Sequence, residues 1–156
     1  SYSRWTDPGE NASGAARTDQ YLTDLYCFRD DAHLAAWRRH DVSGHIWEAL
    51  TFLWRGDART AEELAEKLPR RGHSVEAYTE ALDDLAGRGW IEETPDGYQS
   101  TAQGRALRQE AEDATDRYFF APWACLNDAE KIQLHTLLTR LRDNLQKMAE
   151  SEADST

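Results

Sequence analysis

The chain has 156 residues, 40% of them hydrophobic and 30% charged, with 18 basic against 29 acidic side chains for a formal charge of −11. That size and apolar content suit one domain with a true core, and the excess of carboxylates excludes a globally basic nucleic-acid footprint. No apolar run approaches a membrane span and no secretory leader opens the sequence; Cys27 and Cys125 make neither a disulfide framework nor a zinc ribbon, so a reducing cytoplasm is the expected setting.

Residues 1–17 mix Ser, Gly, Pro and Asn without an apolar period and read as a mobile arm. A helical rhythm begins at Thr18 with Leu22, Leu25 and Tyr26 on one face. Asp30 and Asp31 predict a break and a new helix carrying Leu34 and Trp37. The rings between Tyr21 and Trp54 are dense enough to build a core or an oligomer interface. Ser43 is placed to cap a helix whose apolar face is Ile46, Ala49, Leu50 and Leu53, ended by Gly56.

Thr60-Ala-Glu-Glu63 is a capping box, in which hydroxyl and carboxylate each satisfy a backbone amide, and Pro69 stops the short helix it opens. Ser74 then caps a helix with Val75, Tyr78, Leu82 and Leu85 inward, closed by Gly87 and Gly89. Residues 90–93, the turn Thr94-Pro-Asp-Gly97 and residues 98–100 read as strand, turn, strand. A helix follows from about Thr101 to Tyr118, and Pro122 interrupts it. Asn127-Asp-Ala-Glu130 starts the last helix, whose Leu134, Leu138, Leu141, Leu145 and Met148 alternate four and three apart, the seam of a helix that packs on another helix.

The expected fold class is therefore mainly α, a winged helix-turn-helix with flanking dimerisation helices and one small β-hairpin. Residues 18–150 are read as one domain: N-terminal helices over 18–42, the winged helix over 43–100 and C-terminal helices over 101–150, with 151–156 a frayed tail. The stretches Thr60-Ala-Glu-Glu-Leu-Ala65, Leu82-Asp-Asp-Leu-Ala-Gly-Arg-Gly-Trp-Ile91, Ser100-Thr-Ala-Gln-Gly-Arg-Ala-Leu107 and Glu112-Asp-Ala-Thr-Asp-Arg117 resemble the MarR-type (multiple antibiotic resistance regulator) winged-helix family, over roughly residues 43–148. That resemblance implies a homodimer joined by its terminal helices, duplex DNA as partner and a small-molecule effector; no cofactor is expected. The effector pocket it suggests is walled by Trp37, Trp47, Tyr118, Phe120 and Trp123.

The sequence departs from that pattern where DNA would be read. The helix from Ser74 has no basic residue, and its inward leucines turn Glu76, Glu80 and Asp83 outward, where carboxylates repel phosphates. The wing, residues 94–97, is short and has no arginine. Contacts to DNA would fall to Arg59, Lys67, Arg70, Arg71 and Arg88 around the motif, with Ser74 and Thr79 from the helix itself. The alternative is a winged helix that has lost DNA binding and serves ligand or protein binding.

Ahead of the motif lies a cluster of His33, His40, Asp41, His45 and Glu48. Imidazoles with a carboxylate can hold a divalent metal or move protons, which makes His40, His45 and Glu48 metal candidates, although their spacing matches no zinc signature. The sequence contains no Gly-rich phosphate loop and no nucleophile elbow, so an enzyme is the lesser expectation.

Overall fold

The computed structural model describes residue 9 and residues 11–153. The arm expected over residues 1–17 and the tail over 151–156 fall partly outside the described residues. Within them the chain runs as α1 (Gly14–Trp37), a 3-10 turn (Arg38–His40), α2 (Gly44–Arg55), α3 (Ala61–Lys67), a second 3-10 turn (Pro69–Arg71), α4 (Val75–Gly87), β1 (Ile91–Thr94), β2 (Gly97–Ser100) and α5 (Ala102–Phe120). A third 3-10 turn (Ala121–Cys125) and α6 (Asp128–Ala153) complete it. The described residues form two compact units that part between Phe119 and Phe120.

The first unit is built by capping and apolar burial together. Ser74 Oγ accepts from the amide of Ala77 at 3.3 Å and starts α4; Thr60 Oγ1 accepts from Glu63 at 3.3 Å and starts α3. Glu63 reaches back to the amide of Arg59 at 2.6 Å, one residue before the box requires. Leu50 and Leu53 of α2, Leu64 of α3, and Tyr78, Leu82 and Leu85 of α4 are buried in one cluster with Trp37, Trp47, Trp90, Ile91 and Ala111. The hairpin pairs Ile91 with Ser100 and Thr94 with Gly97. Gly97 has φ +114°, and a Cβ there would collide with the carbonyl of Arg59, whose oxygen accepts from the Tyr98 amide at 2.8 Å. The hairpin is thus tied to the loop before α3.

Three boundaries differ from expectation. Asp30 and Asp31 do not break the first helix: both are exposed, neither caps an amide, and the buried Ala32, Ala36 and Trp37 keep α1 continuous past them. That helix also starts earlier, at Gly14, because Ser13 Oγ accepts from the amide of Ala16 at 3.2 Å. Residues 14–17 of the expected arm are therefore helical. Ser43 occupies the N-cap of α2, but its hydroxyl is turned to His45 Nδ1 at 3.0 Å and caps nothing.

The second unit is mainly α6. Asn127 and Glu130 close a reciprocal capping box at 3.0 and 2.8 Å. No residue of α6 is buried, and Leu138, Leu145 and Met148 of the expected seam are exposed together with Ile132 and Leu137. The helix runs on to Ala153, so residues 151–153 of the expected tail are ordered as helix.

Candidate functional site: a guanidinium-lined cavity beside an acidic helix

One wall of the first unit is concave, with a cavity of about 550 Å³ between α1, α2, the segment before α4, and α5. Its deepest charged group is Arg108, only 1% exposed. Helical spacing puts it there. Gly104, Arg108, Ala111 and Thr115 recur at four, three and four along the buried stripe of α5. Around Arg108 the chain supplies what a buried guanidinium needs. Its Nε donates to Thr51 Oγ1 at 3.0 Å, its Nη1 lies 2.6 Å from Glu112 Oε1, and its plane faces the indoles of Trp47 and Trp54 at 5.3 and 5.0 Å. At 2.6 Å Glu112 partners Nη1 as a charge-assisted pair. Burial lowers the affinity of Arg108 for its proton, against the pull of Glu112. Burial also pushes the Glu112 carboxyl upward, but Arg108, His33 and Arg29 outweigh it and hold its pKa below the usual range.

Beside Arg108 stands His33 of α1, whose two ring nitrogens are both engaged. Trp47 Nε1–H donates to His33 Nε2 at 3.3 Å, and His33 Nδ1 lies 3.1 Å from Thr115 Oγ1. An indole nitrogen can only donate, so Nε2 must be the unprotonated nitrogen and Nδ1 carries the hydrogen. Burial and then Arg108 lower the pKa of His33, in keeping with a neutral ring. The cavity wall also carries Arg29, Arg55 and Arg71 against Asp30, Glu48 and Glu112. Arg71 is held by Glu48 at 2.7 Å and Arg29 makes long contacts to Glu112 and Asp116 at 3.7 and 3.6 Å, while Arg55 has no hydrogen bond or ion pair among the described residues. In a chain of formal charge −11, this one concavity gathers more cations than carboxylates.

The metal candidates are placed separately. The ring of His40 stacks on Trp47 at 5.5 Å and meets Trp90 edge-on at 6.1 Å, and burial, then Arg39, lowers its pKa. His45 lies against His73, and Glu48 is taken by Arg71. Among the described residues no three His, Cys, Asp or Glu side chains gather as a metal site would require. Of the expected ligand residues, Trp37 and Trp47 line the cavity. Tyr118 is exposed near the end of α5, and Phe120 and Trp123 belong to the second unit, where they flank a shallow hollow with Ala124 and Lys131.

The residues expected to touch DNA are mostly engaged within the chain. Arg59 lies 3.7 Å from Asp96 in the wing, Lys67 Nζ donates to the carbonyl of Asp57, and Arg71 pairs with Glu48. Arg88 bonds Asp84 at 2.7 Å and the carbonyls of His40 and Asp41 at 3.4 and 3.2 Å, pinning a turn in which Asp41 has φ +51°. Ser74 is an N-cap, and Thr79 Oγ1 donates to the carbonyl of Val75 at 3.0 Å. Arg70 is exposed, with no such bond among the described residues. Glu76, Glu80 and Asp83 are exposed on α4.

Arg108, Glu112, Thr51, Trp54, Arg55 and His73 were not anticipated as site residues. The available signal was Arg108 itself, a cation on an apolar stripe with a carboxylate four residues on.

A model of a helix-turn-helix family matches residues 12–151. Curated protein sequences give no match. Among solved structures, a transcriptional regulator from Thermotoga maritima superposes with a TM-score of 0.72 at 14% identity, covering 84% of this chain and 96% of that one. A MarR family protein from Bacillus stearothermophilus gives 0.63 at 15% identity, covering 85% and 95%. MepR, a transcription regulator of the Staphylococcus aureus multidrug efflux pump MepA, gives 0.63 at 16% identity, covering 86% and 99%. With the capped α3 and α4, the hairpin and the flanking helices already in place, the chain belongs to this helix-turn-helix family, and its fold is the winged helix of the MarR-type proteins.

Proposed function

We propose that the chain is a winged-helix transcription regulator, acting in the cytoplasm as a homodimer, whose output is set by a small planar anion bound in the cavity beside Arg108. The observation that carries this reading is the buried guanidinium of Arg108 beside two indoles, in a concavity with more cations than carboxylates whose wall also contains His73, the residue before the N-cap of α4. A planar carboxylate suits such a pocket: its ring meets the Phe52 side chain on the wall and its charge meets the unpaired Arg55 with Arg108 behind it. MepR has been solved bound to ethidium bromide, so one protein of this fold takes a planar aromatic ligand. The apolar side chains exposed along α6 support the homodimer.

DNA contacts would come from Arg70 and Thr79, with Arg59 and Lys67 exchanging their exposed partners for phosphates. A second reading is favoured by the acidic face of α4: the same ligand-binding winged helix acting without DNA. Two measurements decide. Tryptophan fluorescence titrated with benzoate-type carboxylates is expected to change in the wild type and to respond only at higher ligand concentration in Arg55→Gln; no saturable change in the wild type would refute the ligand. Polarisation with random duplex at about 50 mM salt is expected to detect binding tighter than about 100 µM, and its absence would leave the second reading.

A further inference from the structure

The segment that aims α4 is fastened to α2 at two points. Arg71, in the 3-10 turn before α4, holds Glu48 of α2 in a forked pair, with Nη2 at 2.7 Å from Oε1 and Nε at 3.0 and 3.1 Å from the two oxygens. His73, two residues on, lies against His45 at the start of α2 in a tilted ring contact, centroids 4.7 Å apart and planes 34° apart. Among the described residues, no other side-chain hydrogen bond, ion pair or ring contact joins residues 69–74 to α2. We propose that His45 and His73 form a proton-operated catch between α2 and the start of α4, closed while at least one ring is neutral and opened when both are charged.

The physics is that of two titrating sites at close range. One imidazolium beside a neutral ring is tolerated, but two at this separation repel. The neighbours fix the direction. Burial, then His73, lowers the pKa of His45, and Glu80 of α4 opposes them. Ser43 Oγ engages His45 Nδ1 at 3.0 Å, and Tyr78 of α4 meets the His73 ring edge-on at 5.7 Å. Glu48 is committed to Arg71, so that pair adds little net charge at the rings. The far walls carry Arg29 and Asp30 of α1, Arg55 of α2, and Arg108 paired with Glu112 of α5. The pair is therefore closed at neutral pH and strained by acid. When it opens, the segment before α4 keeps only the Glu48–Arg71 pair, while α4 itself stays packed against α2 through Tyr78, Leu82 and Leu85.

The catch forms part of the cavity wall, so its signalling role rests on the ligand-responsive reading above, whereas its titration belongs to the free protein. The test is NMR of the full chain from about pH 8.5 to about pH 4.5, following the histidine rings and the amides of Gly72, His73 and Val75. His45 is expected to titrate below 6.5, with those three amides following the same midpoint. In His73→Gln the His45 midpoint is expected to rise by about half a pH unit, and the amide response to vanish. An unchanged His45 midpoint in that variant, or amides in the wild type that do not move with it, overturns the proposal; the wild-type titration decides alone should the variant not fold. A chain that titrates in this way but binds no planar carboxylate keeps the catch and loses the ligand reading, and binding without the coupled titration does the reverse.

Discussion

The cavity and the outward face of α4 belong to the same compact unit and carry opposite charge. In the cavity, Arg29, Arg55, Arg71 and Arg108 meet three carboxylates, and the most buried cation is flanked by rings. On α4, Glu76, Glu80 and Asp83 stand in water with no basic residue on the helix beside them. A protein whose affinity came from phosphate contacts would reverse this arrangement, with its cations on the exposed helix. The difference teaches that fold and charge answer separate questions here. Capping and apolar spacing specify a reading-head architecture, while the charged residues, which the fold tolerates widely, place an excess of cations in the cavity rather than on α4.

The largest effect is expected from removing the cavity's central charge. Arg108→Met fits the volume but leaves Glu112 with only the long Arg29 contact and Thr51 without its donor. Breaking such a pair should cost about 3 kcal/mol in urea unfolding and abolish carboxylate binding. Arg55→Gln sharpens the contrast, because Arg55 is exposed and unpaired: stability should stay within about 0.5 kcal/mol while binding weakens. Equal loss of stability in both variants would mean that the cavity charges are purely structural.

Next in size is the hairpin, on the reading-head side of the comparison. Gly97→Ala places a Cβ against the Arg59 carbonyl at φ +114° and should destabilise the chain by about 2 kcal/mol, read by thermal unfolding. Smaller again is the effect of neutralising the acidic face. The triple variant Glu76→Gln, Glu80→Gln, Asp83→Asn leaves the buried face of α4 untouched and should strengthen non-specific duplex binding about tenfold at low salt. No change in DNA affinity would show that α4 does not approach the duplex at all, which separates the two functional readings.

Much of the architecture was legible because its signals are local. Ser74, the Thr60 capping box, Gly97 in the turn and the Asn127 box each act within a few residues, and each has a physical consequence that survives into the fold. The break expected at Asp30 failed because cap chemistry is permissive: an aspartate caps only where tertiary packing ends the helix, and the burial of Ala32, Ala36 and Trp37 carries α1 through. The cavity was less legible. Thr51 and Arg108 lie 57 residues apart, and Trp47 and His33 14 apart, so their meeting depends on how α1, α2 and α5 pack. The sequence grouped His33, His40 and His45, but His45 found its ring partner in His73, on a different segment.

The smallest expected effect concerns the pH dependence of stability, and it tests whether the cavity's inner wall is built around a neutral ring. His33 has a lowered pKa, from burial first and Arg108 second, so below the ordinary histidine range the unfolded chain binds a proton that the folded chain resists. Folded-state stability is thus complete above about pH 6.5 and declines as pH falls towards the depressed value, with a slope from this one group of at most about 1.4 kcal/mol per pH unit. The structural reason is specific: a proton on Nε2 would displace the Trp47 donor and bring a charge towards Arg108. His33→Gln keeps an acceptor for Trp47 and a donor for Thr115 but cannot titrate, so urea unfolding between about pH 7 and about pH 5 should show a shallower loss in this variant than in the wild type. His40, whose pKa burial also lowers, retains its own share of the slope in both proteins. An identical slope in the two would mean that His33 takes up its proton in the folded chain as freely as in the unfolded one, and that the Trp47 bond does not fix its tautomer.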